Sequence, residues 1–303
     1  MVATPSDWIQ LRSEALALAI DPQGAQLSVL RDAQGRELLW NGDPAVWKGR
    51  APILFPIVGA LCGGHYLWQR QRYALPRHGF ARERRFEVVA SDASAAIFRL
   101  TDDADTRRIY PFAFELEVSF QVDGNCLTVV AGVRNTGPAP LPASLGFHPA
   151  LRWPLPHAAA RTAHYLEFEH AEPAPIRRLD AQGLLTPQLH TTPVRGRRLA
   201  LEDALFTDDV VIFDRLASRS VTYGADTGPR IRVGFPDATY LGLWTKPGAG
   251  FICIEPWRGV ADPENFNGEF SSKPGVFMVA PQACERLTMT LELLASNAAI
   301  PEV

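Results

Sequence analysis

An all-β fold, a large antiparallel β-sandwich of two packed sheets with few short helices, is what this sequence predicts. Three observations lead there. Apolar side chains recur every second residue in several runs, stations rich in Gly and Pro separate those runs, and long 3.6-residue periodicity capped at both ends is hard to find.

The elements follow in order. Near the start, Leu16, Leu18 and Ile20 alternate with their neighbours before a "DPQG" turn. In "FAFELEVSFQV", Phe114, Leu116, Val118, Phe120 and Val122 alternate with Glu115, Glu117, Ser119 and Gln121, which predicts a half-buried antiparallel strand. "DGN" then reads as a turn, and "CLTVVAGVRN" resumes the alternation through Leu127, Val129, Ala131 and Val133, so the two runs are expected to pair as a hairpin. "NTGPAPLPA", "DTGP" and "TKPGAG" are loops. The polar, Pro-rich stretch from Pro154 to Arg198 reads as long connections. Leu287, Met289, Leu291 and Leu293 form the last alternating run. No repeat or domain boundary is evident, and residues 1–303 are expected to form one domain, because all-β units commonly reach about 200–250 residues.

Composition narrows the function. With 47% hydrophobic and 21% charged residues the chain has material for a sizeable core. A net charge of -3 gives no general attraction to nucleic acid or anionic lipid, so neither is expected as a partner. Cys62, Cys126, Cys253 and Cys284 form no C-x-x-C pair and read as small core hydrophobes. The N-terminal segment lacks a basic leader followed by a long apolar run, and no segment approaches the roughly 20 apolar residues of a membrane span, so a cytoplasmic location is expected.

Three stretches set ionisable groups at the ends of apolar runs, where loops of a rigid β scaffold carry function. "LPRHGFARERRF" holds His78 among arginines, as a solvated basic loop or as a pocket for an oxygen-rich ligand. "SLGFHPALRW" places His148 between Phe147 and Pro149, and "GFICIEPWRG" ends an apolar run at Glu255, beside Pro256 and Trp257. Desolvation there would raise the carboxyl pKa. Singly, His148 reads more readily as a hydrogen-bonded structural residue, His78 more readily as part of a solvated loop, and Glu255 equally well as a salt-bridged strand terminus. Together, two imidazoles and a tuned carboxylate suit acid and base catalysis. His65, His78 and His148 carry no ligand-spacing signature, so no metal is assigned, and P-loop, G-x-G-x-x-G, G-x-S-x-G and H-E-x-x-H patterns are missing.

The segments "WNGDPAVWKGRAPILFPIVGAL", "GGHYLWQRQRYALPRHGFARERRFEV", "YPFAFELEVSFQV", "LGFHPAL", "LFTDDVVIF" and "FICIEPWRGVAD" occur in this order, and through them the chain resembles the aldose 1-epimerase (galactose mutarotase) family over most of its length. The resemblance implies a galactose mutarotase-like supersandwich with a sugar cleft. It implies catalytic roles for Glu255 as general base and His148 as general acid. It further implies sugar contacts from His78, Arg50 and Asp209, with Asp208 adjacent to the last. The implied reaction interconverts the α and β anomers of an aldohexose and needs no metal or cofactor. The implied partner is a small sugar, and the implied assembly a monomer or weak homodimer. Arg77 and Arg82 depart from the surroundings of the galactose-specific members, which leaves a hexose 6-phosphate 1-epimerase open. A carbohydrate-binding or sensing protein without turnover is a further alternative.

Overall fold

The strand Phe114–Asp123 pairs antiparallel with Cys126–Asn135, and Gly124 turns the chain between them at φ 51°. This is the hairpin expected from the alternation, and every inward residue of both runs is buried. The structure is a computed structural model that describes residue 5 and residues 7–156 and 159–294.

The hairpin is the middle of a nine-stranded antiparallel sheet. Its order runs from Arg198–Ala200 through Tyr165–Phe168, Ser220–Gly224, Arg230–Gly234, Cys284–Leu294, Cys126–Asn135, Phe114–Asp123 and Ala95–Thr101 to Glu87–Ser91. The stretch 154–198 is therefore more than connection. Tyr165–Phe168 lies inside this sheet, bonded to Arg198–Ala200 on one side and Ser220–Gly224 on the other. Four residues are too few for an alternation to stand out. Among the described residues the one α-helix is Ala104–Ile109, whose Asp103 cap accepts from Thr106 N while Thr106 Oγ1 accepts from Asp103 N. No helix among them is long and apolar enough to cross a membrane.

A second sheet carries the cleft. Its order is Val211–Phe213, Tyr240–Trp244, Phe251–Arg258, Leu145–Phe147 and Ile53–Leu54, with Ala150–Arg152 also paired to Phe251–Arg258. Successive side chains of a strand point to opposite faces, and this sheet is buried on both. On one face Ile252, Ile254, Leu241, Leu243, Val211 and Phe213 join the main core with Val118, Leu127 and Leu287 of the larger sheet. Each such full burial contributes about 1.5–3 kcal/mol. On the other face Phe251 and Cys253 belong to one small apolar cluster and Trp257 to another, with Glu255 between them in the strand. Of the four cysteines only Cys253 is fully buried; Cys62, Cys126 and Cys284 are half-buried, so three of the four are less interior than expected.

Candidate active site

Glu255 owes its position to that alternation. Its register partner across the sheet is Gly242, and a Cβ on Gly242 would stand 2.3 Å from the Trp257 ring. A Cβ on Gly146 would meet the same indole at 2.8 Å. Two glycines thus leave room for Trp257 to lie close across the sheet beside the carboxylate. Glu255 itself is 1% exposed.

His148 follows the strand Leu145–Phe147 and precedes Ala150–Arg152, which pairs with the strand of Glu255. Its Nε2 lies 3.2 Å from Glu255 Oε2. The two groups touch side by side, without the alignment of a hydrogen bond, and are not ranged on opposite walls. Trp47 stacks on the imidazole at 5.0 Å between centroids, and Trp244 meets it edge-on at 5.7 Å. Trp40 holds Trp47 by donating from Nε1 to its carbonyl.

His78 arrives on a turn in which it and Gly79 both have positive φ, 68° and 71°. A Cβ at Gly79 would collide with the Phe55 carbonyl, which accepts from the amides of Phe80 and Ala81. The His78 amide donates to Gly59 O, and Gly59 N donates back to His78 Nδ1 at 3.1 Å. A non-Gly residue in the left-handed region stores strain that surrounding bonds must hold. Here the reciprocal pair with Gly59 does so.

These residues line a cavity of about 240 Å³, together with Asp209, Arg77, Arg82 and Lys246. Asp209 has φ 62°, and Arg178 fastens its loop by donating to the carbonyls of Asp209, Val210 and Leu205. Asp208 is exposed and is not part of the lining, so of the two aspartates Asp209 faces the cavity. Arg77 leans on the turn 180–184, with Nη2 3.4 Å from Gln182 O.

Arg50 is the one expected site residue that the fold does not bring here. Its Nη1 donates to Ser28 O, and its guanidinium lies 5.1 Å from the centre of the Trp8 ring. Arg77 and Arg82 supply the guanidinium groups of the cavity instead. Trp47, Trp244 and Lys246 were not among the residues expected. Trp244 and Lys246 lie where a strand runs into the "KPG" turn, the same strand-end signal that marked Glu255.

Electrostatics follow burial. Desolvation pushes Glu255 well above the usual carboxyl range, and nearby Asp209 adds to it. Burial lowers His148 to about 3, with Arg82 acting in the same direction. The two shifts therefore run past each other rather than meeting near neutrality. Favouring the uncharged forms, they leave one proton on the pair over a wide pH range, to be counted as the pair's own. His78 is pushed well below its ordinary value by burial, then by His148, Arg82 and Arg77. With Nδ1 accepting from Gly59, neutral His78 carries its proton on Nε2. His148 Nδ1 and Trp257 Nε1 are buried without hydrogen-bond partners among the described residues. Such orphans are rare unless a ligand or water completes them.

A buried acid–base pair, a neutral imidazole and two guanidinium groups around a small cavity can move protons on a polyhydroxylated ligand. The LacX protein of Lactococcus lactis subsp. lactis is 31% identical over 296 residues, covering 94% of this chain and 99% of that protein. A galactose mutarotase related enzyme from Lactobacillus acidophilus superposes with a TM-score of 0.88 at 27% identity, covering 95% of this chain and 98% of the other. A galactose mutarotase-like protein from Lactobacillus casei gives the same TM-score and identity, covering 95% and 100%. The model of the family described as aldose 1-epimerase matches residues 7–277, and to that family this chain belongs.

Proposed function

We propose that the protein is an aldose 1-epimerase that interconverts the α and β anomers of an aldohexose, with Glu255 and His148 as its proton-transfer pair. The observation that carries this reading is their contact, 3.2 Å apart on the wall of the cavity. The anomeric hydroxyl oxygen and the ring oxygen are bonded to the same carbon, so the groups that serve them must also be neighbours.

Ring opening starts from the charge-separated form of the pair. Glu255 takes the proton of the anomeric hydroxyl while His148 gives one to the ring oxygen; the bond from the anomeric carbon to the ring oxygen breaks and an aldehyde forms. Rotation about the adjacent carbon–carbon bond and closure with the roles reversed yield the other anomer. No electron leaves the sugar, and the pair recovers its single proton. Hydroxyl and ring oxygens entering the cavity would solvate the charged form that burial alone disfavours. His78 would donate from Nε2 to a sugar oxygen, Asp209 would accept from hydroxyls, and Arg77 and Arg82 would donate to oxygens near the mouth. Arg50, bonded to Ser28 and stacked near Trp8, has no part in this reading.

Polarimetry on freshly dissolved α-glucose and α-galactose tests it. Acceleration over the spontaneous rate is expected, together with its loss, by at least a hundredfold, in Glu255→Gln. A protein that only binds sugar would leave the spontaneous rate unchanged. A second reading, an aldose bearing an anionic group, is favoured by one observation. Arg77, Arg82 and Lys246 all line the cavity, and Arg82 Nε is buried without a hydrogen-bond partner among the described residues. Faster exchange on hexose 6-phosphates, lost in Arg77→Ala and Arg82→Ala, would select it.

A further inference from the structure

The cleft face of the strand Phe251–Arg258 bears a thiol two residues before its carboxylate. Cys253 faces the same way as Glu255, opposite Ala150 and Trp244 in register, and Ala150 stands two residues after His148. One donor atom from each of His148, Cys253 and Glu255 lies within 4.8 Å of the other two. All three residues are buried. Glu255 Oε2 lacks a hydrogen-bond partner among the described residues, so one of the donors is already desolvated and uncommitted.

We propose that His148, Cys253 and Glu255 form a binding site for a thiophilic divalent cation of the Zn²⁺ class, and that its occupation shuts off the proton-transfer pair. Imidazole, thiolate and carboxylate together favour Zn²⁺ over Mg²⁺ or Ca²⁺, which take oxygen ligands almost alone. Tetrahedral zinc with Zn–S of about 2.3 Å and Zn–N or Zn–O of about 2.0–2.1 Å sets its donors roughly 3.5 Å apart. The His148–Glu255 contact already has that spacing at 3.2 Å. The remaining separations, at most 4.8 Å, need to close by about an ångström, within the reach of side-chain rotation at Cys253. Three protein donors leave the fourth position for water or a sugar hydroxyl from the adjoining cavity.

Binding displaces the thiol proton of Cys253 and the single proton of the Glu255–His148 pair, and releases both to solvent. Lone pairs of Glu255 and His148 that would accept protons are then committed to the cation. The site itself stands on the geometry; the inhibition it would cause rests on the proposed acid–base role.

Cobalt serves as the probe. Titrating the full chain with Co²⁺ in the absence of sugar is expected to give near-ultraviolet thiolate-to-cobalt absorption and the intense visible bands of a tetrahedral centre. Both should vanish in Cys253→Ser and Cys253→Ala, while Cys62, Cys126 and Cys284 remain. Persistence of the thiolate band in those variants, or its absence in the wild type, would overturn the site. X-ray absorption of the zinc-loaded wild type removes any dependence on the variants folding: one sulfur with nitrogen and oxygen donors is expected, and a sulfur-free shell refutes the proposal. In polarimetry, Zn²⁺ but not Mg²⁺ is expected to suppress anomer exchange reversibly, with at least a tenfold higher concentration required in Cys253→Ser. Equal sensitivity of that variant would refute the inhibitory role. A wild type that shows the thiolate band but never accelerates anomer exchange would keep the metal site and sink the epimerase reading.

Discussion

Glu255 and His148 touch at 3.2 Å inside the protein, and burial drives both toward their uncharged forms. That arrangement has a consequence for stability. The folded Glu255 keeps its proton above the ordinary value of 4.5, so the folded state binds more protons than the unfolded chain as pH rises past 4.5. Stability is therefore fully present below 4.5 and is lost as pH rises through the folded value. Glu255→Gln has no such dependence. Its melting temperature is expected to exceed that of the wild type at pH 8, with the gap shrinking as pH falls toward 4.5. A gap that is constant with pH in thermal unfolding would contradict the assignment.

His148 acts at the other end of the scale. Its folded value is about 3 against an ordinary 6.5, so the unfolded chain binds the extra proton first. The associated stability is present above 6.5 and is lost as pH falls from there toward about 3. Denaturant unfolding of His148→Gln should show a flatter acid limb than the wild type over that window.

His78→Asn tests the clamp with Gly59. Asn tolerates the left-handed backbone that His78 adopts at φ 68°, so folding should be little changed. The short amide lacks the reach of imidazole into the cavity, and kcat/KM is expected to fall about 10- to 100-fold, which is roughly 1.4–2.8 kcal/mol of transition-state stabilisation. Unaltered steady-state kinetics would remove His78 from the site.

Gly242→Ala puts a methyl group where the Trp257 ring leaves none, at 2.3 Å. Overpacking of this kind costs about 1–3 kcal/mol. Because the displaced indole adjoins Glu255, turnover should fall with it. Urea unfolding and polarimetry on the same variant check both halves.

Lys273 and Asp262 form an ion pair at 2.6 Å, with side chains 1% and 2% exposed. Asp262 also accepts from Cys62 N, and its own amide donates to Ala60 O beside Gly59. Lys273→Met strands a buried carboxylate and should destabilise by about 3–5 kcal/mol. The double variant Lys273→Met with Asp262→Asn should recover part of that loss, as a mutant cycle in denaturant would reveal.

Strands long enough to show their period were legible in the sequence. Phe114 to Asn135 gave a hairpin because ten residues on each side repeat the pattern around one Gly turn. Tyr165–Phe168 escaped because four residues carry only two alternations. Glu255, His148, His78 and Asp209 come together at the cavity. Arg50 does not, because the sequence gives no sign of which way a long guanidinium arm swings, and here Ser28 and Trp8 hold it. Trp47 was hidden for a related reason: stacking on His148 depends on the path of the loop before Ala51, which no short-range pattern encodes.

The strand Phe251–Arg258 divides its labour by parity. Ile252 and Ile254 serve the main core, while Phe251, Cys253, Glu255 and Trp257 look onto the cleft side. A lineage could therefore rewrite the odd positions to suit a new ligand and leave the even ones to keep the molecule folded. Chemistry and architecture share eight consecutive residues here, yet selection can tune them almost separately.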